Sequence, residues 1–283
     1  MSVAAMRAAG QPLRVGLMGY GAIGGYVAQR LLDGKSLPGA RLSAVLVNRS
    51  RDPPAELTGP GAPVFTADAN TFFNAEWDIA VEAAGQTVVR EHGRRCLGDL
   101  GRHLLVTSVG ALCDDGLHKE LLELAGGGGS QLLIAAGALP GMDWMSSASF
   151  ESVDEVSITQ IKTPNGWRGT PAEEVLDLQS LTESAVVFEG SAREAATQFP
   201  KNANIAAALA LSTIGLDAAR VRLLADPAVP GPQVQLALRG AAGEINISVS
   251  GRPAFGSDRT SMIVPLSVVK ALRNLSGPQF IGI

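Results

Sequence analysis

An α/β fold in two domains is predicted by three features of the sequence. Short apolar runs alternate with helical segments through the first half, and a glycine-rich turn joins the first run to the first helix. After about residue 150 the runs give way to the strict alternation of half-buried strands. Parallel strands covered on both faces read as near-continuous apolar runs, whereas strands with one solvated face alternate.

The elements follow in order. "LRVGLMG" (13–19) is the first strand, and Val27, Ala28, Leu31 and Leu32 recur after Gly24 at helical spacing. "LSAVLVN" (42–48), "DIAVEAAG" (78–85) and "HLLVTSVG" (103–110) are further apolar runs closed by turn residues. "AGGGGS" (125–130) reads as a flexible connection to another buried strand, "LLIAAG" (132–137). In the second half "EVSITQIKT" and "INISVSG" alternate, and "VQLALRG" is a short strand. "TPAE" predicts a helix start with Thr170 as N-cap, Pro171 in the first helical position and Glu173 bonding back. Ser191 and Glu194 in "SAREAA" repeat the device. "SMIVPLSVVKALRNL" (261–275) predicts a last helix that begins at Pro265 or is kinked there. The expected domains are 1–137 and 138–260, with 261–283 a C-terminal helix and tail packed back on the first domain.

Composition narrows the function. The chain has 283 residues, 46% of them hydrophobic and 18% charged, enough for two cores. A net charge of −4 gives nucleic-acid binding no electrostatic support. Cys96 and Cys113 are the only cysteines, too few for a disulfide framework or a zinc cluster, and no metal site is expected. No stretch is long and apolar enough to span a membrane. The start, "MSVAAMRAAGQP", lacks the continuous apolar segment of a signal peptide. The expectation is a soluble, cytoplasmic protein.

"GYGAIG" (19–24) lies between the first strand and first helix. In a Rossmann domain Gly19 permits the tight turn, Gly21 admits a pyrophosphate and Gly24 lets helix and strand pack closely. Ala22 and Ile23 then bring the helix N-terminus to the cofactor. An NAD-selective site ends its second strand in an acid, but here the chain reads Asn48, Arg49, Ser50, Arg51. Two cations and a hydroxyl suit a 2′-phosphate, so NADP is favoured and NAD left open.

"FPKNANIAAALA" (199–210) gathers Lys201, Asn202 and Asn204 where an apolar helix begins. Capping is one reading. The other is a substrate site, where a cation and amide donors at a rigid helix end hold carboxylates.

The remaining unusual strings include "DIAVEAAGQTVV", "LLVTSVGAL", "AAGALPGMD", "GTPAE", "VVFEGSAREAATQFPKNANIAAALALSTIGLD", "VRLLADP" and "SVVKALRN". In that order, over nearly the whole length, they resemble the L-aspartate dehydrogenase family, most specifically in "GSAREAA…FPKNANIAA". The resemblance implies a Rossmann domain followed by an α/β catalytic domain, and usually a homodimer. It implies oxidation of L-aspartate with NAD or NADP to iminosuccinate, which gives oxaloacetate and ammonia or feeds NAD biosynthesis. It places Ala138 and Asn204 at cofactor-binding positions and Lys162 and Trp167 in a loop of the substrate pocket. Asn202 joins them as a substrate contact.

One departure stands out. The family's catalytic histidine, counted from Asp226, falls at Val234, and no histidine follows His118. A second family histidine is replaced by Gln86. Amine oxidation by hydride transfer needs a neutral amine, and histidine is suited to accept the proton. His92, His103 and His118 read as surface or packing residues. Three functions therefore remain open. In the first, an aspartate dehydrogenase handles its proton through Lys201 or a water. In the second, an imine or amine reductase takes a less polar substrate. The third is a non-catalytic nucleotide-binding homologue.

Overall fold

The computed structural model describes residues 10–254 and 257–282. The chain forms two compact units, Met1–Ala135 with Val264–Ile283, and Ala136–Ile263.

The first unit is built on a six-stranded parallel sheet: β1 (Leu13–Met18), β2 (Ala40–Leu46), β3 (Val64–Thr66), β4 (Ile79–Glu82), β5 (His103–Val106) and β6 (Leu132–Ile134). Its order is β3-β2-β1-β4-β5-β6. The apolar runs of β1, β4 and β5 are buried because helices cover a parallel sheet on both faces. These helices are α1 (Ala22–Leu32), α2 (Ala69–Asn74), α3 (Gln86–Arg94) and α4 (Asp115–Gly128). The strand order reverses between β1 and β4, where such sheets open a crevice at the carboxyl ends of their strands.

The glycine run is not a loose connection. Helix α4 continues through Gly126, Gly127 and Gly128 and stops only at Gly129, whose φ of 65° is left-handed. Leu117, Leu121 and Ala125 form its buried stripe, and packing along that stripe overrides the poor propensity of glycine. Gly128 has a positive reason to lack a side chain, since a Cβ there would stand 2.9 Å from the Leu97 carbonyl oxygen.

The second unit carries α5 (Met142–Ala148), β7 (Val153–Lys162), α6 (Ala172–Val175), β8 (Ala185–Ser191), α7 (Ala192–Gln198) and α8 (Asn204–Leu211). Three strands follow, β9 (Arg220–Ala225), β10 (Gln233–Gly240) and β11 (Gly243–Ser250). The five strands order as β11-β10-β7-β9-β8, with β9 parallel to β7 and the other pairs antiparallel. One face is apolar: Val156 and Ile158 on β7 lie beside Leu238 and Leu236 on β10, and beyond them Val221 and Leu223 on β9. The opposite face of β11 shows Glu244, Asn246, Ser248 and Ser250 to solvent, which explains its alternation.

The two expected capping boxes part company. Ser191 and Glu194 form the full reciprocal box at α7. At α6 the N-cap is Pro171, and the helix is a single turn. Thr170 donates to Trp167 O at 2.6 Å, and Glu173 accepts from Gly169 N–H at 3.1 Å. The "TPAE" side chains thus brace the turn around Trp167.

The last helix, α9 (Ile263–Ser276), starts at Ile263 without a kink at Pro265, which lies in the first turn where its missing N–H costs nothing. Val268, Leu272 and Leu275 join Leu13, Val15 and Val27 in the core of the first unit. A Cβ at Gly39 would stand 2.4 Å from Ser276 O, so the turn before β2 lies directly on the end of α9.

Two neighbouring substitutions should have opposite signs. A Cβ at Gly127 would meet nothing within 4 Å, so Gly127→Ala should stabilise by up to about 1 kcal/mol through helix propensity. Gly128→Ala, pressed against Leu97 O, should destabilise by about 1–3 kcal/mol. Urea midpoints report both, and equal shifts would contradict the packing described for Gly128.

Candidate active site

At the switch point each glycine of the first turn has a separate physical role. Gly19 has φ +108°, and a Cβ on it would stand 2.6 Å from Ala83 O. A Cβ on Gly24 would come within 2.1 Å of Gly19 O, so helix and turn pack backbone against backbone. Around Gly21, in contrast, a Cβ would meet nothing within 4 Å. Gly21 is the N-cap of α1 and offers no capping side chain. The first bond closing the helix runs from Gly25 N–H to Gly21 O, so the amides of Ala22, Ile23 and Gly24 precede it. Side-chain-free space at the positive end of a helix fits a pyrophosphate.

The neighbouring turns are fixed by a residue with no recognisable sequence signature. Glu82, at the end of β4, is 0% exposed. Its Oε1 accepts from Ala84 N–H at 2.8 Å, Gly85 N–H at 2.7 Å and Ser108 Oγ at 2.9 Å. Its Oε2 accepts from Ser108 N–H at 2.9 Å and Thr107 N–H at 3.3 Å. Five donors replace hydration for a carboxylate that could not otherwise be buried. They tie the turn after β4 to the turn after β5. Because Ala83 is the residue on which Gly19 packs, the tie reaches the glycine turn itself.

At the end of β2, Asn48, Arg49, Ser50 and Arg51 are all exposed. Arg51 folds back, donating to Tyr20 O at 3.3 Å and lying 5.8 Å from the Tyr20 and Phe65 ring centres. The second strand ends without an acid, but one arrives from the next turn: Glu56 accepts from the Tyr20 hydroxyl at 3.0 Å. Burial, reinforced by this bond to Glu56, pushes the Tyr20 phenol up to about 12.

In the second unit, the ends of the three interior strands lie at one end of the sheet. Lys162 and Ala225 close the parallel β7 and β9, while Val234 lies at the start of antiparallel β10. Val234 pairs with Gln160, so Val234, Gln160 and Lys162 share the face that is apolar further along. Gln160 Nε2 donates to Asn202 O at 3.3 Å, and Lys162 Nζ donates to Asn202 Oδ1. Nζ also sits 4.9 Å from the centre of the Trp167 ring. Trp167 is fully buried, its Nε1 bonded to Leu224 O at 2.9 Å and its ring edge-on to Phe199. Phe199 therefore anchors the turn that presents Asn202. Burial lowers the Lys162 ammonium from 10.5 to about 8.

This geometry resolves the polar cluster before α8. The N-cap of α8 is Ala203, which has no side chain to cap with, and Asn204 opens the helix itself. Asn202 spends its side-chain oxygen on Lys162 instead. Lys201 lies in the short turn Pro200–Asn202, and its side chain is outside the described residues. Ala138 is half-buried in the turn between Gly137 and Gly141. All three histidines belong to the first unit: His103 is fully buried in β5, and His92 and His118 are half-buried on α3 and α4, where burial lowers both imidazoles. Gln86, the first residue of α3, accepts from Arg90 at 3.3 Å. Among the described residues no cluster of His, Cys, Asp and Glu could hold a metal, and no helix is long and apolar enough to cross a membrane.

A parallel sheet of this order, with a side-chain-free glycine turn at its switch point, defines an NAD(P)-dependent oxidoreductase. Residues 19–135 match the NAD-binding domain of homoserine dehydrogenase, and residues 143–275 match the C-terminal domain of aspartate dehydrogenase. L-aspartate dehydrogenases from Ruegeria pomeroyi and Ralstonia pickettii are each 39% identical to the chain over 93% of its length, covering 93% and 97% of theirs. Among solved structures, aspartate dehydrogenase from Thermotoga maritima shares the fold with a TM-score of 0.73, at 23% identity over 95% of this chain and 99% of that one. The chain belongs to the aspartate dehydrogenase family.

The Glu82 network makes a direct prediction. Glutamine keeps the shape but turns one acceptor oxygen into a donor facing N–H groups, so one of the two turns loses its anchor. Glu82→Gln should cost about 2–4 kcal/mol of stability and weaken dinucleotide binding at least about tenfold, corresponding to about 1.4 kcal/mol. Thermal melts and cofactor fluorescence titration report the two effects. Wild-type values in both would show that the turns hold without the carboxylate.

Proposed function

We propose that the protein oxidises the amine of L-aspartate to iminosuccinate, with NADP or NAD as hydride acceptor, and that it works as a homodimer in the cytoplasm. The observation that carries the substrate is the Lys162–Asn202 pair at the end of the central strand β7, within the region that matches aspartate dehydrogenase. N–H donors beside a rigid indole suit a polar dicarboxylate. Lys162, Asn202 and Trp167 form this recognition surface. Lys201, in the same turn as Asn202, contributes the cation.

The cofactor residues are Gly19, Gly21, Ala22, Ile23 and Gly24 at the pyrophosphate, with Asn48 and Arg49 at the adenosine ribose. Ala138 and Asn204 keep the cofactor-binding role that the family resemblance gives them. Bound there, the nicotinamide ring supplies the hydride acceptor.

Arg51, held against the glycine turn by Tyr20, supports a preference for the 2′-phosphate, and Glu56 nearby is the counterweight that keeps NAD in use. Removing Arg49 and Arg51 together should weaken NADP(H) by roughly 2–4 kcal/mol, less than the sum of two charge-assisted bonds of about 1.5–3 each because both side chains are solvent-exposed, and leave NAD(H) nearly unchanged. Equal losses for the two cofactors would remove the basis of the preference.

Val234 favours a second reading, in which the same fold reduces a preformed imine with a less polar group against this wall. The two readings separate in one assay. Purified protein is offered L-aspartate with NADP or NAD, then oxaloacetate with ammonia, then other oxo acids and amines. Turnover with aspartate supports the first reading. Turnover confined to imine reduction supports the second, and cofactor binding with no turnover at all would leave a nucleotide-binding homologue. Val234→His should raise aspartate oxidation, by less than the 10²–10⁴-fold of a well-placed general base. A fall on that substitution would show that the wall has no room for an imidazole.

A further inference from the structure

With valine at the family's histidine position, this face of the second sheet still needs a group that can take a proton. Among the described residues Lys162 is the ionisable side chain on it. Its stem is confined on two sides. A Cβ at Gly166 would stand 3.0 Å from Lys162 Cβ, and the Trp167 ring lies under Nζ. Its head bonds to an amide oxygen, and among the described residues no carboxylate pairs with it. A salt-bridged lysine would be locked as ammonium, whereas one bonded to an amide is free to lose a proton. Donation to Asn202 Oδ1 uses one N–H and fixes the orientation of the rest of the group. Two positions before it on the same face, Gln160 is the cross-strand partner of Val234.

We propose that Lys162 is the proton acceptor of amine oxidation, standing in for the histidine that Val234 replaces. This rests on the amino-acid dehydrogenase reading above. In the step, neutral Lys162 Nζ takes a proton from the substrate ammonium. The freed nitrogen lone pair forms the C=N bond as the Cα hydrogen leaves with its electron pair to the oxidised nicotinamide. The amine loses two electrons, the nicotinamide gains them, and the proton stays on Nζ. In the reverse direction the same ammonium returns it. Burial supports the role, since a lysine held to about 8 is substantially neutral in mildly alkaline solution. The charged residues on the adjoining segments are Asp226, whose backbone amide donates to Lys162 O, Arg168, next in sequence to Trp167, and Lys201, next in sequence to Asn202.

The deciding variant is Lys162→Arg, which keeps a long N–H-donating side chain beside Trp167 and Asn202 but does not deprotonate. It should lower kcat with aspartate by about 10²-fold or more, while KM changes little. The rising limb of the kcat/KM profile, expected near pH 8 in the wild type, should disappear. Ethylamine should partly rescue Lys162→Ala. Independently of turnover, NMR titration of ¹³C-dimethylated lysines should show one midpoint near 8 that is absent in Lys162→Arg. Asp226→Asn and Lys201→Gln test whether the limb belongs to a neighbour. Lys162→Arg with near-wild-type kcat and an unchanged limb would overturn the proposal, as would a lysine titration with every midpoint in the ordinary range. Wild-type protein that binds cofactor but turns over no amine would instead overturn the dehydrogenase reading, while the NMR result still judged Lys162.

Discussion

The nucleotide side of the first unit depends on one buried acidic side chain. Glu82 is fully buried, so backbone amides from two separate turns must converge on its two oxygens. That requirement runs in both directions. The carboxylate is tolerable only if the turns are in place, and the turns are held only while the carboxylate is there. Gly19 then packs against the residue next to Glu82 closely enough to exclude any side chain, and Gly24 packs against Gly19. A chain of close contacts leads from a buried acid to the N-terminus of the first helix.

The second unit obtains a chemically unusual group by simpler means. Among the described residues no charged partner pairs with Lys162. A missing side chain at Gly166 and a pinned indole at Trp167 withdraw a lysine from water, and an asparagine holds its head. The aromatic contact between Trp167 and Phe199 links the loop after β7 to the turn before α8, so the lysine and its amide partner are set by one packing event. Desolvation is a blunt way to shift a titration, but it leaves the group unencumbered by a salt bridge.

The sequence exposes those parts of this architecture whose cause is local. "GYGAIG" is legible because three backbone constraints fall within six residues, and Ser191 with Glu194 because a capping box closes over four. Parallel strands announce themselves as apolar runs. Legibility fails where partners are distant. Glu82 looks like any strand-end acid until residues 84–85 and 107–108 fold around it. The Lys162–Asn202 pair spans 40 positions, so Asn202 resembles a cap in the sequence. The run Gly126–Gly128 misleads for a related reason: a helix is stabilised there by its buried stripe, and the carbonyl of Leu97, 31 residues before Gly128, leaves no room for a side chain on that glycine. "TPAE" carries the letters of a capping box, yet the backbone carbonyl of Trp167 takes the threonine hydroxyl.

The return of α9 to the first unit has a consequence for biogenesis. The core around Leu13 and Val15 includes Val268, Leu272 and Leu275, and the turn at Gly39 rests on Ser276. On a ribosome the whole stretch from Ala136 to Ile263 is made before that last helix exists. The nucleotide-binding unit, begun first, is therefore finished last. Until then it must wait with an apolar groove open along one side of its sheet, in the company of a second unit whose own strands are already complete.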